Sequence, residues 1–154
     1  MIREAKIGDF EEMLEIVKEI QTQHYGARPD VFKDVAEPLQ REEFEKLLND
    51  EDSRVFVKEA DGGIAAYCIL KVNEFKGGHI MKPAIYLHIN DFAVKEAYWR
   101  KGIGRELFNH AKAFAVDSGV ESIQLMVWEF NRRALKFYEA LGLDTMFRRM
   151  ELKL

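Results

Sequence analysis

The chain has 154 residues, of which 47% are apolar and 32% are charged, and its formal net charge is −4. This composition predicts one folded domain with a hydrophobic core and excludes a disordered chain. The negative balance argues against broad binding to nucleic acid or to an anionic membrane, because both reward a basic surface.

The residues that build disulfides, metal sites and membrane spans are sparse. Cys68 is the single cysteine, and the four histidines are scattered, so neither an internal disulfide nor a metal site is predicted. No apolar run approaches the roughly 18 residues of a membrane span, and the N-terminus lacks the apolar core of a signal peptide. We therefore expect no metal, no nucleic-acid or membrane partner, and a cytoplasmic protein.

Hydrophobic periodicity divides the first half of the chain into a strand, two helices and a hairpin. Asp9 and Glu12 resemble a capping box at the start of the first helix. Asp61, Gly62 and Gly63 form the turn of the hairpin, with glycine where positive φ is needed. The predicted elements are a strand at 2–5, a helix from 9 to 20, an irregular segment at 23–38, a helix at 39–49, and strands at 53–59 and 64–74.

The second half alternates strands and helices. Gly119 and Gly142 are the expected helix ends, and Asn131 is the expected N-cap of the last helix. The predicted elements are a turn at 76–83, a long apolar strand at 85–94, a helix from 103 to 118, a strand at 122–128, a helix from 131 to 141, and a last strand at 147–154. This order predicts an α/β fold with a mixed sheet in one domain.

The loop between the long strand and its helix concentrates positive charge on an otherwise acidic chain. Gly102 and Gly104 let several backbone N–H groups point at one spot, beside the positive end of the helix and the side chains of Arg100, Lys101 and Arg105. Such a place binds phosphate or pyrophosphate. The alternative is a tight turn with solvated basic side chains. The spacing fits neither a dinucleotide fingerprint nor a Walker A loop.

A second motif lies at residues 131–143. One face of its helix carries Ala134, Phe137, Tyr138 and Leu141, so that Tyr138 points inward and its hydroxyl needs a partner. Together with the basic loop, this motif resembles the GNAT superfamily of acetyl-CoA-dependent N-acetyltransferases. The similarity covers residue 85 to the C-terminus in two motifs with the family's order and spacing, and the first half in element order only.

The resemblance implies a single-domain α/β fold over residues 1–154, with a mixed, mainly antiparallel central sheet that is flanked by helices and splayed after the fourth strand. This chain departs from the family pattern Gln/Arg-x-x-Gly-x-Gly/Ala at its first position, where Trp99 stands and arginine is displaced to Arg100. Trp99 either packs beside the adenine of the cofactor or shields the loop.

The resemblance also implies acetyl-CoA as co-substrate and assigns its binding residues. The pantetheine arm bonds the main chain after the splay, the pyrophosphate lies on the N–H groups of the loop, and the start of the last helix holds the thioester arm. These residues are Phe92, Ala93, Val94, Arg100, Lys101, Gly102, Ile103, Gly104, Arg105, Asn131, Ala134 and Tyr138. For Asn131 the alternative is simple capping of the helix.

The implied reaction is direct attack of a primary amine on the thioester in a ternary complex, without an acyl-enzyme. Tyr138 occupies the family's position for the general acid; the alternative is a packed tyrosine bonded to backbone. Because Asn90 stands where several relatives carry glutamate, the candidate bases are His88 and Asp91, either acting through water. Both also have structural alternatives. Cys68 is expected to be a buried core residue rather than a nucleophile.

The acceptor is expected to be a small-molecule or peptide amine held by the variable first half. The segments 23–38 and 75–83 are the expected walls, with His24, Tyr25, Arg28 and Phe32 as lining residues. Two rival functions stay open. One is a non-catalytic acyl-CoA-binding or regulatory module, which Asn90 and Trp99 favour; the other is a structural domain without cofactor, which the charge cluster disfavours. The resemblance adds a homodimer through the strand at 147–154.

Overall fold

A five-stranded sheet organises the chain, and the computed structural model describes all of residues 1–154. The strands are β1 (Ile2–Glu4), β2 (Ser53–Ala60), β3 (Gly63–Phe75), β4 (Ala84–Val94) and β5 (Ser122–Leu125). The helices are α1 (Phe10–Ala27), α2 (Arg41–Asn49), α3 (Ile103–Asp117) and α4 (Arg132–Ala140). The strands lie in sequence order, antiparallel except for the parallel pair β4 and β5. The predicted mixed, mainly antiparallel sheet is confirmed.

Each face of the sheet is covered by a different pair of helices. The apolar cluster under α1 and α2 includes Phe10, Met13, Ile16, Phe44 and Tyr67. The cluster on the other face, under α3 with α4 at its margin, includes Phe56, Leu70, Leu87, Leu107 and Phe108. None of the helices is long and apolar enough to cross a membrane.

The β2–β3 hairpin forms as its turn residues predict. Asp61 and Gly62 have φ values of 52° and 83°, and Ala60 pairs with Gly63 across the two-residue turn. Both central residues of such a turn need positive φ, which glycine adopts freely and aspartate tolerates.

A β-bulge in β4 changes the direction of its side chains. Asp91 pairs with Ile69 and Ile89 pairs with Leu70, which leaves Asn90 exposed and unpaired. Residues two apart normally share a face, but the extra residue shifts the alternation. Ile89 therefore packs under α3, whereas Asp91 bonds a side chain of the α1 layer.

The sheet splays between β4 and β5, as expected. The two strands pair only from Tyr86–Ser122 to Ile89–Leu125, although β4 continues to Val94. The edge of β4 beyond Ile89 therefore has no strand beside it. This gap opens toward the start of α3 and toward α4.

Two helix predictions at the N-terminal end need correction. The first helix continues through Ala27 rather than ending near residue 20, so its last turn carries His24. The expected capping box is also wrong, because Glu12 Oε2 accepts a 2.7 Å hydrogen bond from the Ile64 N–H of β3. Asp9 instead accepts hydrogen bonds from the Lys6 N–H at 2.7 Å and from the Arg3 guanidinium.

The predicted strand at 147–154 is wrong, and β5 ends at Leu125 instead of residue 128. Residues 144–154, which we name the terminal arm, form no strand and make no backbone–backbone hydrogen bond. Its apolar side chains are exposed: Met146, Phe147, Met150, Leu152 and Leu154. Only side-chain ion pairs, Glu151 with Arg28 and Lys153 with Asp30, tie the arm to the body. β5 has an open edge, but the terminal arm does not pair with it.

Candidate active site

The loop from Arg100 to Arg105 presents a row of free backbone donors. The N–H groups of residues 100–105 donate to no protein acceptor, and the first amide bonded back into the helix is that of Glu106, to Gly102 O at 3.1 Å. Arg100 and Gly102 adopt the left-handed region, with φ of 63° and 82°. Left-handed residues beside a helix N-terminus turn successive N–H groups toward one point, which suits an anion.

Positive side chains surround these donors without carboxylate partners. Arg100, Lys101 and Arg105 are exposed and form no ion pair, and the Lys101 ammonium lies 5.0 Å from the ring centre of Tyr98. Arg133 adds a fourth charge from the start of α4. Partial burial lowers the pKa of Arg133 and the nearby charge of Arg100 lowers it further, against the attraction of Glu96. The uncompensated charge favours a polyanionic ligand.

The two glycines of the loop have different structural roles. A Cβ on Gly104 would lie 3.2 Å from the Phe137 ring and 3.4 Å from the Val94 side chain. A Cβ on Gly102 would meet nothing within 4 Å, so its positive φ is the constraint there. Gly104 thus brings α3 close to α4, and Gly102 shapes the row of donors.

Trp99 packs against the protein rather than standing free beside the loop. Its indole N–H donates a 2.7 Å hydrogen bond to Val94 O, and the Arg133 guanidinium lies 3.1 Å from the ring centre. These contacts hold the indole beside the loop, and the two expected roles of Trp99 stay predictions. The tryptophan links the end of β4 to α4 at the mouth of the splay.

The open edge of β4 offers only some of the main-chain groups that the sequence suggested. Lys95 N donates to Ala65 O at 2.8 Å, and antiparallel pairs alternate in direction. By that alternation the main-chain groups of Ala93 face β3, while those of Phe92 and Val94 face the gap. Phe92 N is already bonded to Asp91 Oδ1 at 2.9 Å, and Val94 O accepts the Trp99 indole. Phe92 O and Val94 N are the groups that stay free.

Asn131 caps α4, which is the alternative role that the sequence left open for this residue. Its Oδ1 accepts a 3.2 Å hydrogen bond from the Ala134 N–H, while its Nδ2 donates to no protein atom. Ala134 is half-buried in the first turn of the helix. The amide nitrogen of Asn131 and the small side chain of Ala134 are therefore what this helix start offers to a ligand.

Tyr138 lies at the splay with an unpaired hydroxyl. Its ring packs edge-on against Phe92, at 6.3 Å between centroids, and against Phe137 at 5.3 Å. The hydroxyl makes no hydrogen bond to the protein. Tyr138 is therefore not the backbone-bonded residue that the alternative expected. Burial, and then the negative charge of Asp91, raise the pKa of Tyr138, which keeps its proton in place.

Asp91 is fixed by two hydrogen bonds on the α1 face of the gap. Tyr67 Oη donates to Asp91 Oδ2 at 2.6 Å, and the Phe92 N–H donates to Oδ1. Burial raises the pKa of Asp91, and the two hydrogen bonds oppose that shift. Burial also raises the pKa of Tyr67 well above its usual value, so this phenol is the proton donor of the pair.

The other two ionisable groups considered for the reaction, His88 and Cys68, differ in whether they could take part in proton transfer or nucleophilic attack. His88 is half-buried, makes no side-chain hydrogen bond, and has a pKa lowered by burial, so its imidazole is neutral at pH 7. No hydrogen bond joins His88 to Asp91. Cys68 is fully buried, and burial raises the pKa of its thiol to about 12, which excludes a thiolate nucleophile. No group of three or more His, Cys, Asp or Glu side chains could hold a metal ion.

An aromatic enclosure stands on the α1 side of the gap. His24 stacks on Phe32 at 5.0 Å, Phe32 meets Trp128 edge-on at 5.5 Å, Trp128 stacks on Phe130 at 5.8 Å, and Phe130 closes the circuit to His24 at 5.6 Å. Of the residues expected to line the acceptor pocket, the fold brings together His24, Phe32 and Arg28. Tyr25 is exposed and belongs to none of these contacts.

Sequence reasoning assigned no role to Trp128, Phe130, Tyr67 or Arg133. The first two stand more than 90 residues from His24 and Phe32, so only the fold relates them. Tyr67 is hidden in a long apolar strand. The Arg132–Arg133 pair beside the capping asparagine was a signal for the extra positive charge.

Comparisons with known proteins agree with this geometry. A model of the Acetyltransferase (GNAT) family matches residues 12–143. The chain is 27% identical to thialysine N-epsilon-acetyltransferase of Bos taurus over 142 residues, 92% of this chain and 82% of that protein. A crystal structure of a mutant BH1408 protein from Bacillus halodurans superimposes with a TM-score of 0.98 at 30% identity, over 100% of this chain and 99% of the other.

More distant structures share the fold alone. The aminoglycoside N-acetyltransferase AAC(6')-Iy in complex with CoA matches with a TM-score of 0.75 at 13% identity, over 100% of this chain and 98% of that one. The family model covers most of the chain, including both motifs and the gap between them. The chain therefore belongs to the GNAT acetyltransferase family.

Proposed function

We propose that this protein is an N-acetyltransferase that transfers the acetyl group of acetyl-CoA to a primary amine by direct attack in a ternary complex. The observation that carries the proposal is the row of unpartnered N–H groups at 100–105, which opens onto the splay where the Tyr138 hydroxyl is free. Membership of the GNAT family and the CoA complex of a distant structural neighbour support it.

The free donors and the cations at one end of the gap support one direction for the cofactor. Its pyrophosphate would lie on the N–H groups of residues 100–105, with Arg100, Lys101, Arg105 and Arg133 around it. Its pantetheine amides would bond the free Phe92 carbonyl and Val94 N–H. Ala134 leaves room for the thioester arm, and the Asn131 amide nitrogen can donate to it.

Acetyl transfer makes a carbon–nitrogen bond to the amine and breaks the carbon–sulfur bond of the thioester. The leaving thiolate has an ordinary pKa of about 8–9, so a nearby hydroxyl stabilises it by a hydrogen bond. Tyr138 is the free donor at the gap. Because its pKa is raised, we expect it to donate this bond and to give up its proton only as the thiolate charge develops.

The attacking nitrogen must be neutral, so the acceptor ammonium has to lose a proton first. His88 is neutral and free of hydrogen bonds, which suits a base acting through water. Both oxygens of Asp91 are already bonded. We propose that His88 accepts the proton and that the charge of Asp91 attracts and orients the ammonium.

Release of free thiol in the presence of acetyl-CoA and a panel of primary amines tests the activity. Amine-dependent release that is lost in Tyr138→Phe, with acetyl-CoA binding retained, would support the enzyme. Tight acetyl-CoA binding without release for any amine would favour the non-catalytic acyl-CoA-binding module instead.

We further propose a homodimer that pairs the terminal arm with a second copy. The arm makes no backbone hydrogen bond, its apolar side chains are exposed, and β5 has only β4 as a neighbour. Unpaired backbone and an open strand edge favour strand pairing between copies. Light scattering after gel filtration should give a dimer for the full chain and a monomer for residues 1–143; a monomeric full chain would contradict this.

A further inference from the structure

The aromatic enclosure of His24, Phe32, Trp128 and Phe130 is built as a separate unit. Its rings come from the last turn of α1, the segment after it, and the segment between β5 and α4. Phe32, Trp128 and Phe130 belong to neither apolar core cluster, and Trp128 keeps 40% of its surface exposed. The rings thus form a satellite cluster outside the core, and the exposed part of Trp128 is open to a ligand.

A cation already lies against this enclosure. The Arg28 guanidinium is 5.6 Å from the centre of the Trp128 ring. Asp30 holds it through two hydrogen bonds of 2.9 and 2.8 Å, and Glu151 of the terminal arm adds a third of 3.2 Å. An aromatic face combined with carboxylates is the environment that favours an organic cation.

The enclosure belongs to the acceptor side that we propose, because α1 carries His24 and covers the face of the sheet on which Tyr67 bonds Asp91. His24 is coupled electrostatically to Asp91, whose charge opposes the lowering of the His24 pKa by burial. The two ends of the gap thus differ in charge: the cofactor end carries four cations without partners, and this end carries aromatic faces beside Asp91, Asp30 and Glu151. A ligand that enters here meets negative charge and π surface together.

We infer that the enclosure binds the second cationic group of the acceptor, so that the preferred substrates are flexible amines with two positive charges. This inference rests on the proposed acetyltransferase function and names its substrate class. One ammonium lies on the Trp128 face, in place of the Arg28 guanidinium, while the other reaches Asp91 and loses its proton before attack. A monoamine of equal length lacks the first contact.

The matched pair cadaverine and n-pentylamine tests the inference, because they differ only in the second amine. We expect calorimetric binding of cadaverine to the CoA-loaded protein, with affinity about tenfold above that of n-pentylamine, and an equal preference in kcat/KM. Trp128→Leu should abolish the preference in both measurements while leaving n-pentylamine and acetyl-CoA affinity unchanged. Trp128→Tyr, which keeps an aromatic face, should retain much of it.

Val116→Ala is the control, since Val116 is exposed on α3, outside the enclosure and outside the segments expected to line the acceptor pocket. Arg28→Ala should tighten cadaverine binding several-fold by vacating the Trp128 face. Equal affinity for the two amines in the wild type, or a preference that survives Trp128→Leu, overturns the inference. Cadaverine binding without thiol release would contradict the proposed reaction and leave the cation site standing.

Discussion

The Tyr67 hydroxyl lies 2.6 Å from Asp91 Oδ2, to which it donates a hydrogen bond from the neighbouring strand. Burial raises the pKa of Tyr138 on one side of the gap, and the charge of this fixed carboxylate adds to that shift. On the other side, the same charge opposes the lowering of the His24 pKa by burial. The β-bulge at Asn90 turns Asp91 to this position. The Tyr67–Asp91 pair therefore influences titratable groups on both sides of the gap.

Tyr67→Phe should destabilise the protein by about 1–3 kcal/mol, because a buried carboxylate loses one of its two donors. In the wild type, the hydrogen bond from Tyr67 lowers the pKa of Asp91. Without that bond, the pKa of Asp91 rises further. A carboxyl whose pKa is raised in the folded state makes the free energy of unfolding fall as pH increases. The destabilisation caused by Tyr67→Phe should therefore become smaller as pH falls and Asp91 is protonated. Urea unfolding across pH measures it, with Tyr86→Phe as control; a pH-independent difference would contradict the account.

Tyr138→Phe should lower kcat by about 10²-fold or more while changing acetyl-CoA affinity less than about twofold. The Tyr138 hydroxyl has no hydrogen-bond partner in the protein, so its removal leaves the ring packing and the Asn131 cap of α4 intact. Steady-state kinetics and calorimetry separate the two effects. Tyr25→Phe removes an exposed hydroxyl and should change neither. An unaltered kcat in Tyr138→Phe would make Tyr138 a packing residue only.

His88 should impose a pH dependence on activity and on stability. Its folded-state pKa is below the ordinary value of about 6.5, so the unfolded chain binds a proton first as pH falls. The stability contributed by the neutral imidazole is complete above about pH 6.5 and declines below it, by at most about 1.4 kcal/mol per pH unit. We expect kcat/KM to fall over a range below pH 6.5 as well. His88→Gln should flatten both profiles, and an unchanged acid limb of kcat/KM would remove His88 as the base.

Gly102→Ala and Gly119→Ala place the same side chain at the same kind of backbone position. Both glycines have positive φ, 82° and 68°, with open space around the absent Cβ. Each substitution should cost about 1–2 kcal/mol of unfolding free energy. Only Gly102→Ala should also weaken acetyl-CoA binding, because only Gly102 shapes the row of donors. If the two variants affected acetyl-CoA binding equally, the row of donors would have no specific role in binding the cofactor.

Gly104→Ala acts through packing instead. The added Cβ meets the Phe137 ring at 3.2 Å, so α4 has to move away from α3. We expect a loss of about 1–3 kcal/mol of unfolding free energy, measured in urea. The double variant Gly104→Ala with Phe137→Leu should recover part of that loss by giving the Cβ room. No recovery would mean that the contact with Phe137 is not the cause.

The parts of the fold that depend on neighbouring residues were predictable from the sequence. The β2–β3 turn has the residues its φ values require, and the start of α3 follows from glycines and charges within six residues of each other. The row of free N–H groups at 100–105 could be expected from the same local residues. The first helix was predicted too short because its apolar stripe fades after Ile20, although nothing before Arg28 stops it.

The features that join distant segments could not be read from local patterns. Trp128 and Phe130 meet His24 and Phe32 only because β5 runs parallel to β4 and stops at Leu125. The strand predicted at 147–154 does not form, because the terminal arm pairs with no strand and leaves the edge of β5 open. Pairing is a property of two segments, and periodicity describes one.

Calorimetric titration with acetyl-CoA, beside desulfo-CoA and ATP, tests the central assignment most directly. We propose that the row of free N–H groups at 100–105 holds the pyrophosphate and that the splay before Tyr138 holds the pantetheine arm, so both parts of the cofactor should contribute to affinity. We expect acetyl-CoA and desulfo-CoA to bind with one site per chain and clearly more tightly than ATP, which has the phosphates but not the pantetheine arm. No binding of acetyl-CoA at millimolar concentration would contradict the cofactor site and the proposed acetyltransferase with it.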